Sequence, residues 1–518
     1  MRKHKGIRLG LMGTLLVGCI LAGCTGDREV REEEPEEYTV LHVLTMGNET
    51  DCGTEQFYEQ LDELTKRDLG CIVRFTYIPW GNEKQEIDSA IASGDYDIYC
   101  NGVFSNYLDK ASKNAFLDLN LYLDAVPELV ERYEQLSEHV LEECEIDGKL
   151  YGFPEIKRAT SIRDGIFLYR EDLCEEWGVD TVRSLEGMEE YMYLAKNSGY
   201  GELPLITDNR IWECLYLILG GKQYLDITSI QDMPYAVIDI ENPDTVVCRM
   251  ETEAFLETLK YVQKWYQDGI IDPNILGVTD NEGYRAIRML SADEKPCETN
   301  STLNAVGIYY IPEMHAAHPE WKWNFYCYCA DNPVYRLSLA YDTCTSVSSR
   351  CMYPELAVKF ISLAHTDREY YDLLVYGVEG MNYELTDGMI DYSNISVSDR
   401  HNSWTGLPDI FMEYPQKTED AYWDDRVREF EESFRHREEV QKDHPLIEVT
   451  MDRGGMDTAE LDKVWNTYMK PLLCGVTEDL ERDYRIAMDK MYEAGLSEYL
   501  QTVQERITQM KHTREVGK

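Results

Sequence analysis

The sequence predicts an α/β protein in which a largely parallel sheet carries amphipathic helices. Three observations support this fold class. Strand and helix patterns alternate between residues 38 and 100, the last 40 residues show helical periodicity, and 518 residues with 43% hydrophobic side chains are enough for two lobes. The length therefore allows two lobes, and the periodicity predicts an α/β sheet and a helical carboxyl-terminal tail.

The first five elements follow from their local patterns. Alternating β-branched and aromatic residues predict strands, and apolar residues three or four positions apart predict helices. The predicted elements are a strand at 38–44, a helix at 55–67, a strand at 71–78, a helix that buries Ile87, Ala90 and Ile91, and a strand at 96–100.

This β-α-β-α-β order favours parallel strands with right-handed crossovers. Ligands bind such sheets at the carboxyl ends of the strands, where the loops open into a crevice. The sequence therefore nominates three loops as candidate ligand contacts: 46–51, 79–82 and 101–106.

The first residues form an export signal. A basic start and an apolar run at 9–22 end in Leu21-Ala22-Gly23-Cys24, which predicts a lipoprotein signal peptide at 1–23 and lipidation of Cys24. The apolar run is shorter than the roughly 20 residues that a spanning helix needs. Residues 24–37 are an acidic linker. We expect the chain to lie outside the cytoplasmic membrane, held by its lipid anchor only; a plain secretory signal is the alternative.

The charge excludes several partners. Lys and Arg total 50 against 97 Asp and Glu, a formal charge of −47, and removal of residues 1–23 takes away four basic and no acidic residues to leave −51. Phosphate backbones and anionic lipid heads would repel such a chain, so nucleic acid is not an expected partner. The acidity indicates a solvated surface or, alternatively, a cationic ligand.

The remaining cysteines show no disulfide framework. Thirteen follow Cys24, an odd number without compact spacing, so we interpret them as small buried hydrophobes. His315-x-x-His318 and Cys327-x-Cys329 have spacings that a metal could use, but no second ligand pair accompanies either. We expect neither pair to hold a metal and we expect no cofactor. Calcium stays open, because turns rich in Asp and Glu could hold it, although the sequence has no EF-hand loop.

Two helix starts are predicted from capping patterns. Thr366 and Glu369 have the spacing of a capping box that opens a short helix ending before Gly377. Thr477 is predicted to cap a helix that stops at Gly495.

Several longer segments carry a family resemblance. Behind the Cys24 signal, these segments are, in chain order, SGDYDI at 93–98, IDGKLYGFP at 146–154, IFLYREDL at 166–173 with WGV at 177–179, WYQDGIIDP at 265–273, PELAVKF at 354–360 and YGVEGMNY at 376–383. With these segments in this order, the chain resembles the extracellular solute-binding lipoproteins of bacterial ABC importers, of the carbohydrate-binding kind and the large lipoprotein subfamily.

The resemblance implies a type II periplasmic-binding-protein-like fold, with two lobes that close like a hinge on a solute in the cleft between them. By analogy, the first lobe holds 38–158 and 333–378, and the second holds 159–332 and 379–518. The chain is then a membrane-tethered receptor, acting as a monomer, that delivers an oligosaccharide or other small solute to ABC permease transmembrane subunits with a separate ATPase.

Aromatic side chains suit a sugar ligand, because a ring face stacks on the apolar face of a sugar while polar groups bond its hydroxyl rim. The chain has 37 Tyr and 9 Trp. The candidate ligand-binding residues are Trp80, Asn101, Tyr107, Arg163, Asp164, Trp212 and Trp404, with Trp80 first. Trp265 is expected in a core.

Two other functions stay open at this point. A peptide or cationic-solute receptor on the same scaffold is favoured by the negative charge, and a surface glycan hydrolase would need only a pair of carboxylates. The chain has no G-x-S-x-G, P-loop or H-E-x-x-H motif, so we predict that it is not an enzyme.

Overall fold

The computed structural model describes residues 38–79, 83–136, 140–141, 144–146, 148–156, 164–200, 204–227, 233–277, 295–303, 306–334, 340–401, 406–407, 409–417, 420–441 and 456–517. Residues Thr39–Lys518 form one compact unit. The predicted signal peptide, Cys24 and the acidic linker lie outside the described residues.

The strands of this unit are β1 (Thr39–Met46), β2 (Cys71–Ile78), β3 (Ile98–Gly102), β4 (Glu145–Ile146), β5 (Lys149–Leu150), β6 (Phe153–Pro154), β7 (Asp164–Arg170), β8 (Tyr224–Asp226), β9 (Ala236–Asp239), β10 (Val246–Cys248), β11 (Cys297–Thr302), β12 (Trp323–Cys327), β13 (Thr343–Val347), β14 (Glu384–Thr386) and β15 (Met389–Asp391).

The α-helices are α1 (Thr54–Asp68), α2 (Glu83–Ser93), α3 (Tyr107–Ser112), α4 (Pro127–Leu136), α5 (Glu171–Trp177), α6 (Leu185–Ala195), α7 (Ile211–Gly220), α8 (Glu253–Gln267), α9 (Ile311–Ala317), α10 (Pro354–Thr366), α11 (Arg368–Tyr376), α12 (Ala421–Gln441), α13 (Ala459–Val464), α14 (Lys470–Leu473), α15 (Leu480–Glu493) and α16 (Leu496–Gly517).

The first sheet has five strands in the order β2-β1-β3-β13-β6. β1 pairs in parallel with both β2 and β3, and β13 runs antiparallel to β3 and β6. The predicted β-α-β-α-β order and the parallel pairing are therefore confirmed. β3 begins at Ile98, two residues later than predicted. Just before it, Asp97 N donates to His42 O at 2.9 Å and Asp97 Oδ2 accepts from His42 N at 3.0 Å.

This sheet carries the first hydrophobic core. Phe57, Leu61 and Leu64 lie on one face of α1 and are buried against it, as their spacing predicts. On α2, Ile87 and Ala90 are buried and Ile91 is half-buried. The apolar periodicity therefore identifies the faces that these helices turn to the sheet.

The second core lies around two antiparallel three-stranded sheets, β11-β7-β12 and β10-β9-β8. Trp265 of α8 is fully buried there, and its indole nitrogen donates to Glu189 Oε1 at 2.7 Å. Its predicted place in a core is confirmed. Buried residues of α15 and α16, among them Met491 and Val503, join the same core, which agrees with the predicted helical tail.

The predicted DGKLYGFP hairpin is confirmed in its described residues. β4 pairs with β5 antiparallel, with Ile146 opposite Lys149, and Gly148 has a φ of 74°. Glycine adopts that left-handed backbone without the penalty that a Cβ brings. Proline ends β6 at Pro154, next to β13.

Both capping predictions need correction. The N-cap of α11 is Asp367, whose carboxylate accepts from the backbone N–H groups of Glu369 and Tyr370, while Thr366 still belongs to α10. α15 is capped by Asp479, and Thr477 donates to Asp483. In both cases a carboxylate closer to the helix start takes the exposed N–H groups. α11 does end before Gly377, as predicted.

Residues 379–417, assigned by sequence to the second lobe, contact the first core. Met381 packs against it, Leu407 is buried in it, and Ile156 and Asp409 form an isolated bridge. We therefore propose that this segment belongs to the first lobe. The chain passes between the lobes after β6 and again before β13, and we propose that its third passage, the third crossing, follows this segment. The other lobe boundaries remain predictions.

Candidate ligand-binding site

The carboxyl edge of the five-stranded sheet is where the chain passes between the two cores. β1, β2, β3 and β6 end at this edge, and β13 begins there. After β6 the chain continues to β7 in the second core, and it returns to β13 from β12. We therefore expect the predicted cleft between the lobes at this edge, which is also the edge that the sequence nominated.

The first nominated loop exposes polar groups at the edge. Gly47 donates its backbone N–H to Ile78 O at 2.8 Å, which fixes where the loop leaves the sheet. Asn48 and Glu49 are exposed, and Thr50 Oγ1 donates to Arg400 O at 3.1 Å. Amide and carboxylate groups on a held loop can hydrogen-bond the hydroxyls of a ligand.

Two buried hydroxyls lie just inside this edge. Thr45 follows Leu44 of β1, which pairs with Tyr99 of β3, and Thr345 of β13 pairs with Cys100 of β3. Thr45 Oγ1 and Thr345 Oγ1 are buried and have no hydrogen-bond partner among the described atoms. Buried polar groups normally have partners, so these hydroxyls can bond buried water.

Asn101 belongs to a core and not to the ligand loop. It lies within β3 and is fully buried, its Nδ2 donates to Tyr99 O at 3.2 Å, and its Oδ1 accepts from Cys344 Sγ at 3.2 Å. The prediction that it contacts ligand is corrected, because β13 covers the position that would otherwise be a strand end.

Tyr107 is also buried in the first core. It is 1% exposed, and its ring stacks on Phe116 with centroids 6.1 Å apart. Burial raises the pKa of its hydroxyl well above the ordinary value. Its ligand role is therefore corrected to packing.

Trp212 lies in the second core, at the start of α7. It is 6% exposed, with its ring edge-on to Phe255 at 6.3 Å and to Trp465 at 5.7 Å. We correct its predicted ligand role to packing. Helical periodicity in IWECLYL was a signal for this burial, because Trp212 precedes Leu215 and Tyr216 by three and four positions.

The other candidate residues stay predictions. Trp80, Arg163 and Trp404 lie outside the described residues. Asp164 begins β7, where its backbone pairs with Thr302. This places Asp164 where the first crossing enters the second lobe.

Two further residues on the third nominated loop were not singled out from sequence. Phe104 is half-buried in the short 3-10 turn Val103–Ser105, and Asn106 follows it with a φ of 59°. An aromatic face and an amide thus follow β3 directly at the carboxyl edge. The left-handed preference of Asn was the available signal for this turn.

The described residues contain no group of three or more His, Cys, Asp or Glu side chains arranged to hold a metal ion. His315 approaches Asp420 at 3.5 Å, whereas His318 stacks on Trp321 with centroids 3.7 Å apart. The two histidines thus have separate structural contacts.

A cavity of about 460 Å³ lies elsewhere, over α2. Its described lining residues, Lys84, Gln85, Asp88, Ser89 and Ala92, all belong to the exposed face of that helix. That face is opposite the buried Ile87 and Ala90.

Among the described residues, no helix combines the length and the apolar character that crossing a bilayer requires.

No family model matches the chain. It is 22% identical over 379 residues to a carbohydrate ABC transporter substrate-binding protein of Streptococcus pneumoniae serotype 4, which covers 71% of this chain and 70% of that protein. It is 21% identical over 456 residues to lipoprotein LipO of Bacillus subtilis, which covers 83% of each.

Solved structures share the fold. The N-glycan transport solute-binding protein NgtS of Streptococcus pneumoniae, crystallised with Man1GlcNAc, matches with a TM-score of 0.67 and 16% identity over 91% of this chain and 99% of that chain. The resemblance read from the motifs is confirmed. The chain has the two-domain fold of the solute-binding proteins of ABC importers and is related in sequence to them.

Proposed function

We propose that the chain is an extracytoplasmic receptor that binds an oligosaccharide at the carboxyl edge of its five-stranded sheet and delivers it to an ABC permease. The supporting observation is the set of polar and aromatic groups at this edge, on a fold shared with a glycan-binding receptor. Exposed Asn48 and Glu49 supply hydrogen bonds, and Phe104 supplies a ring face. We propose that Trp80, which comes two residues after the last residue of β2 in the sequence, also contacts the sugar.

The anchoring and the partners belong to the same proposal. We propose that Cys24 carries the lipid, that the mature receptor acts as a monomer, and that a separate ATPase supplies the energy of transport. A relative named as a lipoprotein supports the anchor. The ligand-binding role without catalysis is supported by relatives named as substrate-binding proteins.

The test is the melting temperature of residues 25–518 against a panel of host-glycan, plant and storage oligosaccharides, with basic and neutral peptides alongside. A ligand at about 100 times its Kd stabilises the folded state by roughly 2.7 kcal/mol. We expect stabilisation by one class of sugar. The effect should be nearly independent of salt, because stacking and neutral hydrogen bonds are not screened.

Other outcomes would change the proposal. Salt-sensitive stabilisation by basic peptides alone would replace the sugar with a cationic ligand. Recovery of shortened sugar with new reducing ends would indicate a hydrolase, whereas a receptor returns the sugar intact. An unchanged melting temperature across all sugars would contradict the oligosaccharide proposal.

A further inference from the structure

Cys327 and Cys329 lie in a tight turn at the end of β12. Cys327 is the last residue of the strand, and its carbonyl oxygen accepts from the backbone N–H of Ala330 at 3.0 Å. The hydrogen bond closes a four-residue turn in which Cys329 is the third residue. The sulfur atoms of the two cysteines are 3.4 Å apart.

The turn gives the pair a spacing that a disulfide can use. Residues two positions apart in an extended strand are about 6.6 Å apart, near the upper limit of the Cα separation in disulfides. A turn shortens this separation. Both cysteines belong to the same small buried cluster, which also contains Trp323 and Trp423.

The pair also lies where both crossings enter the second lobe. Tyr328, between the two cysteines, donates its backbone N–H to Gly165 O at 3.1 Å, and Gly165 follows the first crossing. Its hydroxyl donates to Thr299 O on β11 at 2.5 Å. After Ala330 the chain continues into the second crossing.

From this geometry we propose that Cys327 and Cys329 are a dithiol pair that closes to an intrachain disulfide when the chain is oxidised. The oxidant is an external disulfide. One thiolate attacks it and releases one thiol, and the second thiolate then displaces the other, so that two cysteine thiols and one external disulfide give one intrachain disulfide and two free thiols.

The disulfide would hold the turn that anchors Tyr328 to Gly165. Cys327 is 4% exposed and Cys329 is fully buried, so exchange takes place while the chain folds or opens locally. Oxidation in the cell rests on the proposed extracytoplasmic location, since that side of the membrane permits disulfides. Closure by an added disulfide does not depend on that location or on the ligand.

The experiment uses the full chain, reduced and then treated with oxidised glutathione as the only oxidant. Free thiols are blocked with N-ethylmaleimide in denaturant, and trypsin releases the peptide 323–336, which contains both cysteines. We expect this peptide two hydrogens lighter than the reduced form and without maleimide. Two maleimide groups, or glutathione on either cysteine without closure, would overturn the proposal.

Two variants distinguish disulfide closure between Cys327 and Cys329 from a general effect of losing a buried cysteine. Cys329→Ser must abolish closure and leave one labelled or glutathionylated sulfur at Cys327. Cys174→Ser, which removes another buried cysteine, must leave closure of peptide 323–336 unchanged. Blocked labelling without the loss of two hydrogens would indicate a bound soft metal ion and would also overturn the proposal.

Discussion

The side-chain amide of Asn382 donates a hydrogen bond to the carbonyl oxygen of Cys52, 330 positions earlier, at 2.9 Å. The same Nδ2 donates to Asp399 O at 2.7 Å, and Oδ1 accepts from Val378 N at 2.8 Å. Asn382 is 1% exposed. One buried amide therefore joins the residue that follows the first nominated loop to the segment that follows α11.

Asn382→Ala should destabilise the fold strongly. The substitution leaves two carbonyl oxygens and one N–H without their partner, and each unsatisfied buried group costs about 1–3 kcal/mol. We expect a loss of roughly 2–4 kcal/mol of unfolding free energy, measured by urea denaturation. Asn394→Ala, on the exposed side of the same region, should change it by less than about 0.5 kcal/mol. Equal effects of the two substitutions would contradict the role of Asn382.

A buried carboxylate near the third crossing should make stability depend on pH. Asp409 Oδ2 is 3.8 Å from Arg132 Nε and 4.0 Å from His365 Nδ1. Burial raises the pKa of Asp409 to about 6, although a backbone hydrogen bond from Phe411 and the positive charge of Arg132 act to lower it. Burial and Arg132 lower the pKa of His365 to about 3. His365 is therefore neutral while Asp409 titrates.

The folded pKa of Asp409 lies above the value near 3.9 expected in the unfolded chain. The favourable contribution of Asp409 to the unfolding free energy is thus complete below about pH 4 and is lost as the pH rises through about 6. Asp409→Asn stays neutral, so from pH 4.5 to 7 its unfolding free energy should gain about 1–3 kcal/mol relative to the unmodified protein. Urea titrations across that range measure it, with the exposed Asp489→Asn as control. Parallel curves for Asp409→Asn and the unmodified protein would refute the assignment.

Trp212→Ala should act on stability and not on ligand affinity. The ring is packed between Phe255 and Trp465, and truncation of a buried Trp to Ala costs about 3–5 kcal/mol. Thermal unfolding should show this loss. The Kd for the sugar, measured by calorimetry on the folded fraction, should stay unchanged; a large rise in Kd would return Trp212 to the ligand site.

Trp80→Ala is expected to act in the opposite way. If its ring stacks on the sugar, the substitution should weaken binding by at least about tenfold, or about 1.4 kcal/mol. The unfolding free energy should change little. Calorimetric titration with the sugar found in the melting panel is the measurement, and Trp80→Phe should recover part of the affinity because it keeps a ring face.

The corrected cap can be tested on α11. Asp367→Ala removes the acceptor of two backbone N–H groups and should cost about 1 kcal/mol. Thr366→Ala removes only the bond from Thr366 Oγ1 to Ser362 O within α10, so its cost should be smaller. Urea denaturation of both variants compares them, and a larger loss for Thr366→Ala would restore the original capping box.

Local pattern determined much of the first lobe. The β-branched run of β2, the one-sided spacing of Phe57 and Leu61 on α1 and the Asp-Gly turn before β5 each depend on residues a few positions apart. Such signals act within one element, so the sequence by itself predicted the element order, the parallel pairing and the buried Trp265.

Only the tertiary structure decided which side chains remained available to a ligand. By sequence, Asn101 directly follows the predicted strand 96–100 and begins a nominated loop. In the structure, β13, more than 240 positions later, pairs beside it and buries its amide against Cys344. Trp212 is likewise covered by Trp465, and Asn382, after α11, donates to the backbone oxygen of Cys52, just before α1. Burial of this kind depends on contacts between distant parts of the chain, which local periodicity does not record.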